Sequence, residues 1–452
     1  MGTYQQPILQ YIIGSRKMLE YIDTNYIPND GDFVCEYRIE PAIGVGFQDA
    51  CTNLAGESTI DTWSDILTLS PEIASMLKPH VFEMDETEGI VRIAYPTALF
   101  ETGSIPQILS SIAGNIFSMK LLNNLRLMDV SFPAEVIERY NGPKFGIKGI
   151  RELLGVKKRP LCGTIVKPKV GLGPKDHARV AYEAWTGGVD IVKDDENLTN
   201  QKFNPFKKRV IETLYLRDKV EKESGERKMY MANITAPTCS EMKERAQFVK
   251  EQGGEYVMID IIPVGWTALQ TLREENESMG LVLHAHRCMH SALTRNPVHG
   301  ISMQVIAKLV RMVGLDQLHI GTAVGKMHGG EEEVKTLLAT CESSSVAEER
   351  KNHVLPQEWG SIKPVLAVAS GGLHPAHVPD LMRIMGHDIV MQFGGGIHAH
   401  PDGTEAGARA VRQAIDAAMD GKELIEYSKI HKELRAAFEK WGQPATWQSA
   451  RS

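Results

Sequence analysis

GGVDIVKDDEN, residues Gly187 to Asn197, opens on two glycines, runs through Val189, Ile191 and Val192, and closes on a lysine followed by three acids. An apolar run that ends in charge reads as a buried parallel strand whose C-terminal end faces a site. Alternation along a strand puts Lys193 and Asp195 on one face and turns Asp194 to the other. Glu196, where the pleat ends, can swing back beside the first pair. One amine and two carboxylates then meet, an oxygen-rich set that suits a hard cation such as Mg2+ better than zinc or copper. An ammonium repels a metal, so Lys193 is either a salt-bridge partner or is turned by CO2 into a carbamate that supplies a third oxygen. Taken alone, the segment also reads as a solvated acidic turn.

Its surroundings decide between these readings. From Gly146 onward strands and helices alternate. The strand candidates are LCGTIVKPK (161–169), VDIVKDDE (189–196), MYMANIT (229–235), YVMIDII (256–262), LVLHAHR (281–287), LHIGTAVGK (318–326), PVLAVASGG (364–372) and DIVMQFGGG (388–396). Helical segments lie between them. AQFVKEQGG and ISMQVIAKLVRMVG end in glycine, as a helix C-terminus favours, and GTEAGARAVRQAIDAAMDG carries Val411, Ile415 and Met419 at helical spacing. This arithmetic predicts an α/β chain with a (β/α)8 TIM barrel over 146–430, ahead of a doubly wound sheet. Upstream, 25–145 mixes the strand-like DFVCEYRIEP and GIVRIAYP with the helix-like VGFQDACTNLAGES and SIPQILSSIAGNIF, whose Ile105, Leu109 and Ile112 share a face. A smaller α+β domain of ferredoxin-like type is expected there. Residues 1–24 read as a helical arm, 341–362 as a polar insertion on the barrel rim, and 431–452 as a tail.

The 452 residues carry 50 basic and 57 acidic side chains, a net charge of −7, with 42% hydrophobic and 24% charged residues. That balance argues against a nucleic-acid or membrane surface. Six scattered cysteines without a CxxC pair point to reduced thiols in a cytoplasmic protein. No signal peptide or membrane span is expected. Gly44-Val45-Gly46 lacks the later glycine of a dinucleotide loop.

In such a barrel the site forms where strands end. Those ends supply Lys167 and Lys169; Lys193, Asp195 and Glu196; His284, His286, Arg287 and His290; His319 and Lys326; Ser370, Gly371 and Gly372; and Gln392, Phe393, Gly394, Gly395 and Gly396. The late glycines offer unobstructed backbone N–H groups to a phosphate. Arg287 and His319 can hold a second one. A metal between two phosphate pockets implies a bisphosphorylated, oxygen-rich substrate.

GTIVKPK, GGVDIVKDDEN, HAHRCMH, HIGTAVGK, SGGLH and QFGGG, in this order and spacing, resemble the large subunit of ribulose-1,5-bisphosphate carboxylase/oxygenase, RuBisCO. GESTIDTW (56–63) resembles its substrate-contacting loop and IAGNIF its helix with a catalytic asparagine. The likeness spans about 25–440, and KDDEN and GGGIHAHPDG are closest in wording to archaeal form III or II/III enzymes, which work without a small subunit. Asp61 departs from the glycine usual beside Thr62 and Trp63.

The resemblance implies addition of CO2, or O2, to the Mg2+-bound enediolate of ribulose 1,5-bisphosphate, giving 3-phosphoglycerate with CO2. It implies a carbamate on Lys193 that binds Mg2+ with Asp195 and Glu196, and proton transfer by Lys167, His286 and that carbamate. Lys169 supports Lys167, and Lys326 sits on a hinged lid. Thr62, Trp63, Gly371, Gly372, Gln392, Phe393, Gly394 and Gly395 serve one end of the substrate, Arg287 and His319 the other, and Ser370 a hydroxyl. Glu57 and Asn115 complete the neighbouring subunit's site, so a homodimer or an assembly of dimers is expected. A RuBisCO-like enolase or isomerase is the alternative, and carbon fixation and salvage of nucleotide ribose are both open roles.

Overall fold

The structure, a computed structural model, describes residues 19–62, 66, 68–324 and 330–444. The chain forms two compact units: 1–141 with 289–312 and 344–362, and 142–288 with 313–343 and 363–452. The expected N-terminal arm lies mostly outside the described residues. Its end, Leu19–Thr24, is not helical; Ile22 bridges Val81.

The first unit is built on an antiparallel sheet of β1 (Asp32–Pro41), β2 (His80–Asp85), β3 (Ile90–Pro96) and β4 (Leu122–Ser131), in the order β4-β1-β3-β2. The short strand Gly300–Ile301 joins β4 in parallel. Phe33, Cys35, Tyr37 and Ile39 of β1 alternate onto one buried face. There Tyr37 donates its hydroxyl to the carbonyl of Ile112, at the end of helix Ile105–Ile112, at 2.9 Å. In that helix Ile108, rather than Leu109, joins Ile105 and Ile112 in the core, and Asn115 opens a separate 3-10 turn. At the break, a Cβ on Gly114 would sit 2.0 Å from the Ser110 carbonyl oxygen.

Two segments expected in the barrel belong to this unit. Helix Met303–Val313 brings buried Lys308 to Asp129 of β4 at 2.7 Å. Segment 344–362 carries a two-strand ribbon, Ser345–Val346 with Gln357–Glu358, and it feeds Glu348 to Arg92 and His353 to Glu36, each at 2.7 Å. A lysine and a glutamate this deeply buried are tolerable only when paired.

The second unit is the closed parallel barrel: β5 (Leu161–Ile165), β6 (Ile191–Lys193), β7 (Met229–Asn233), β8 (Tyr256–Asp260), β9 (Val282–His286), β10 (Gln317–His319), β11 (Leu366–Ser370) and β12 (Ile389–Phe393). Parallel pairing runs in that order, β9 meets β10, and β12 returns to β5. The interior is filled by Ile191, Met229, Met231, Tyr256, Met258, Leu366 and their neighbours, with Ile150 and Leu154 of helix Gly146–Leu154 packed into it. It is a packed core, so ligand chemistry is confined to the strand ends. The two glycines of the opening stretch have a steric reason. A Cβ on Gly187 would lie 2.3 Å from the carbonyl oxygen of Glu405, and Gly188 has φ +106°. The expected tail forms helix Lys432–Trp441, packed on helix Gly403–Met419.

Candidate active site

A cavity of about 490 Å³ opens at the C-terminal ends of the barrel strands. Lys167, Lys169, Lys193, Asp195, Glu196, His286, His319, Ser370, Gly371, Gly372, Gln392, Gly394 and Gly395 line it, together with Trp441. Trp441 belongs to the cavity rather than to a tail, although nothing local in KWGQP betrays a site.

β6 stops at Lys193; Asp194 and Asp195 still divide as alternation predicts, and Glu196, beyond the strand, swings back toward Lys193. Asp194 turns away to Arg209 (3.0 Å), Tyr230 (2.7 Å) and the backbone N–H of Asn233 (3.0 Å). Asp195 and Glu196 face the cavity with Lys193. The Lys193 amine is 1% exposed and donates to the Asp194 carbonyl at 2.7 Å. Burial holds its pKa below the ordinary lysine value, against the pull of Glu196, Asp195 and Asp260. The uncharged amine, the form that reacts with CO2, is thereby favoured. Asp195 is buried, which alone would raise its pKa. The Lys167 ammonium at 2.8 Å and the Asn197 amide at 2.9 Å instead bring it down to about 2. In Glu196 burial is likewise outweighed, chiefly by Lys193, and its other neighbours are Lys169 at 3.1 Å and His286 at 3.8 Å. Two ionised carboxylates beside an amine that is readily made neutral fit a hard divalent cation once that amine becomes a carbamate.

His286 is oriented by a group that carries no sequence motif of its own. Asp260, the last residue of β8, lies 3.0 Å from its Nδ1. Asn233 (3.3 Å) and Thr235 (3.2 Å) hold the other carboxylate oxygen. Burial keeps His286 below the usual histidine pKa. The neutral ring donates Nδ1–H to Asp260 and presents the Nε2 lone pair on the side of Glu196.

A second chain runs along β9, β10 and β11. Gln317 gives its amide N–H to the Tyr256 hydroxyl at 3.0 Å, so its oxygen faces Nδ1 of His284 at 2.8 Å. His284 therefore donates there and accepts at Nε2 from His319, 2.8 Å away. His319 then accepts at Nδ1 from Ser370, at 2.6 Å. Burial holds both rings well below the ordinary histidine pKa, so neutral tautomers suffice throughout. Ser370 is left to meet a ligand as an acceptor. With both nitrogens of His319 engaged, the charged group near that ring is Arg287, which is not among the cavity-lining residues. Burial lowers its pKa to about 10 against the pull of Glu333.

At the opposite end, Gln392 is 1% exposed and its side-chain oxygen and nitrogen both lack a partner among the described residues. A buried amide left open toward a cavity is a ligand contact in waiting. It lies against Gly163, where a Cβ would approach to 2.7 Å. Gly371 and Gly372 have φ +126° and +77°, and they line the cavity beside Gly394 and Gly395. Phe393 is fully buried; its carbonyl accepts the Thr164 hydroxyl at 2.6 Å, and Thr164 in turn lies 2.9 Å from His398.

Glu57, Thr62 and Asn115 belong to the first unit. Glu57 ends helix Phe47–Glu57, Asn115 is exposed, and Thr62 donates its backbone N–H to Asp61 Oδ1 at 2.9 Å. His290 also falls in that unit, 3.0 Å from the Thr294 hydroxyl. Trp63 and Lys326 lie outside the described residues.

Comparison with known proteins gives one answer for both units. Residues 146–441 match the family described as "Ribulose bisphosphate carboxylase large chain, catalytic domain", and 20–136 match its N-terminal domain. The ribulose bisphosphate carboxylase of Methanosarcina barkeri is 60% identical over 422 residues, 93% of this chain and 99% of that one. Among solved structures, the octameric ribulose-1,5-bisphosphate carboxylase/oxygenase of Pyrococcus horikoshii superposes with a TM-score of 0.87 at 48% identity, covering 93% of this chain and 96% of the other. The dimeric archaeal enzyme of Hyperthermus butylicus gives 0.88 at 45%, covering 93% and 98%.

Proposed function

The chain belongs to the ribulose bisphosphate carboxylase large-chain family, and we propose that it is a carboxylase of ribulose 1,5-bisphosphate, forming 3-phosphoglycerate. The observation that carries this reading is the buried, depressed-pKa Lys193 set between Asp195 and Glu196, in one cavity with Lys167 and His286. A RuBisCO-like enolase or isomerase does not need this full set, and nothing in the site favours it.

Lys193, as a carbamate, would hold Mg2+ with Asp195 and Glu196. When bound, that ion supplies charge stabilisation to the oxygens of the reacting carbons. The remaining steps fall to the protein's own groups. Lys167, ion-paired to Asp195, stands where a proton can be passed to or from the substrate. His286, held neutral by burial and aimed by Asp260, accepts a proton at Nε2. Ser370 orients a substrate hydroxyl. Arg287 binds one phosphate, and the Gly371–Gly372 and Gly394–Gly395 backbones bind the other with the open amide of Gln392 beside them. Lys169 holds Glu196 in place. Lys326 would close over the substrate and meet the carboxylate formed from CO2.

Glu57, Thr62, Trp63 and Asn115 would complete the site of a second copy, which makes a homodimer the smallest active form. The related proteins described as dimeric and octameric support this. O2 would compete with CO2 for the same intermediate. No described helix is long and apolar enough to cross a membrane.

The test is 3-phosphoglycerate formation from ribulose 1,5-bisphosphate after preincubation with CO2 and Mg2+. Full-length protein should respond to the preincubation and the Lys193→Met variant should be inactive. Full activity without CO2 pretreatment, or in that variant, would refute the reading.

A further inference from the structure

HAHRCMH places Cys288 two residues beyond His286. Of the six cysteines, Cys35, Cys51, Cys162 and Cys341 are buried and Cys239 is exposed. Only Cys288, part-covered, stands among charged groups of the cavity. Its thiol, one carboxylate oxygen of Asp260 and one ring nitrogen of His286 all lie within 4.8 Å of one another. Asp260 and His286 already touch, at 3.0 Å. The second Asp260 oxygen is fixed by Asn233 and Thr235, the kind of outer support that orients a metal-ligating carboxylate.

A thiolate, an imidazole and a carboxylate are the donors of a three-ligand zinc site with an open fourth position. They differ in kind from the all-oxygen set expected of Lys193, Asp195 and Glu196, which suits Mg2+. The charged neighbours of the thiol are the carboxylates of Asp260, Glu196 and Asp195 and the ammonium of Lys169. With Asp195 and Glu196 given to Mg2+, the Asp260 carboxylate and the thiolate itself supply the negative charge that favours a dication.

We propose that Asp260, His286 and Cys288 form a second cation site, for a soft divalent ion of the zinc class, and that filling it silences the enzyme. Coordination releases the thiol proton to solvent. At the imidazole the metal replaces the Nδ1 proton, which passes to Nε2. The Nε2 lone pair that faces the cavity is then blocked, and the Asp260 contact that aims the ring is lost to the metal. Soft cations therefore inhibit without displacing Mg2+. The inhibitory half rests on the carboxylase reading; the site itself does not.

Cd2+ is the probe, because cadmium–thiolate charge transfer absorbs in the ultraviolet independently of activity. It is titrated into full-length protein activated with saturating Mg2+ and CO2, beside the Cys288→Ala variant, whose carboxylation without Cd2+ should match wild type. In wild type the band should rise to one equivalent as carboxylation falls. The variant should lose the band and need at least about tenfold more Cd2+ for inhibition, since outer-sphere losses alone cost 10–100-fold. An unchanged band in Cys288→Ala overturns the site, with Cys239 then the binding thiol. A band that vanishes in the variant while Cd2+ leaves wild-type carboxylation untouched overturns the inhibition. A wild-type protein that shows the band but never carboxylates refutes the carboxylase reading and leaves the site standing.

Discussion

Replacing Asp194 with asparagine should strand a buried cation directly behind Lys193, Asp195 and Glu196, the proposed metal ligands. The Asp194 carboxylate is fully buried and each oxygen has two neighbours. Oδ2 accepts from Arg209 Nε and from the Asn233 N–H, both at 3.0 Å. Oδ1 accepts from the Tyr230 hydroxyl at 2.7 Å and lies 3.0 Å from His177 Nε2. An amide can keep its oxygen on the Arg209 side, because Tyr230 and His177 are able to reverse their roles toward an NH2. The shape survives and the charge does not. Removing one partner of a buried ion pair costs about 3–5 kcal/mol. Arg209 keeps the carbonyls of Asn204 (3.0 Å) and Thr199 (2.8 Å), which places Asp194→Asn near the lower figure, a fall in Tm of about 5 °C for a unit of this size. Adding Arg209→Met removes the stranded cation and should restore part of the loss. The sign with pH also follows. Burial would raise the Asp194 pKa, but Arg209, His177 and Tyr230 hold it below the ordinary value. A depressed carboxylate stabilises the fold above its unfolded pKa of about 3.9 and loses that contribution as pH falls toward its folded one. The deficit of Asp194→Asn should be full at neutral pH and shrink in acid. Guanidinium unfolding followed by circular dichroism measures all three proteins. A deficit under about 1 kcal/mol, or a double variant no more stable than Asp194→Asn, refutes the reasoning, since a buried pair broken on one side should cost several times that.

Other expectations concern the site more directly. Gln317→Leu leaves His284 Nδ1 and the Tyr256 hydroxyl unsatisfied, at a cost of about 1–3 kcal/mol. It should also mix the His319 tautomers in nitrogen-15 NMR, whereas Gln317→Glu should keep one; an unchanged histidine spectrum in the leucine variant argues that Ser370 alone sets the ring. Asp61→Gly frees the Thr62 N–H from the Asp61 carboxylate and removes a negative charge, so KM for the bisphosphate should fall with kcat little altered, and a KM that stays put or rises counts against a phosphate contact there. Inactive Glu57→Gln and Lys193→Met subunits, mixed and allowed to exchange, should regain partial activity, because one site of each mixed dimer has both groups intact. Exchange without recovery would place Glu57 outside the neighbour's site.

The division of labour in KDDE was legible because a strand alternates with period two, whatever surrounds it. Lys193 and Asp195 are therefore separable from Asp194 before any partner is known, and Glu196 joins them only because the strand has ended. Residues whose role depends on a distant partner were not. Asp260 closes YVMIDII as a single acid in an apolar run, and only His286, 26 positions on, gives it a purpose. Its one available signal was its position, a charge at a strand's C-terminal end. Gln317 carries no such signal, because the apolar run begins at Leu318 and a neutral amide has no charge to mark it. His284 was noticed for its type, yet it serves as the link between Gln317 and His319. Helix Met303–Val313 misled for the same reason. Its periodicity and terminal glycine are those of a barrel helix, and Lys308 in its middle finds Asp129 only across 179 positions of chain. A buried lysine within an apolar helix is the feature that should have announced such a partner, since burying an unpaired ammonium costs far more than the helix can return.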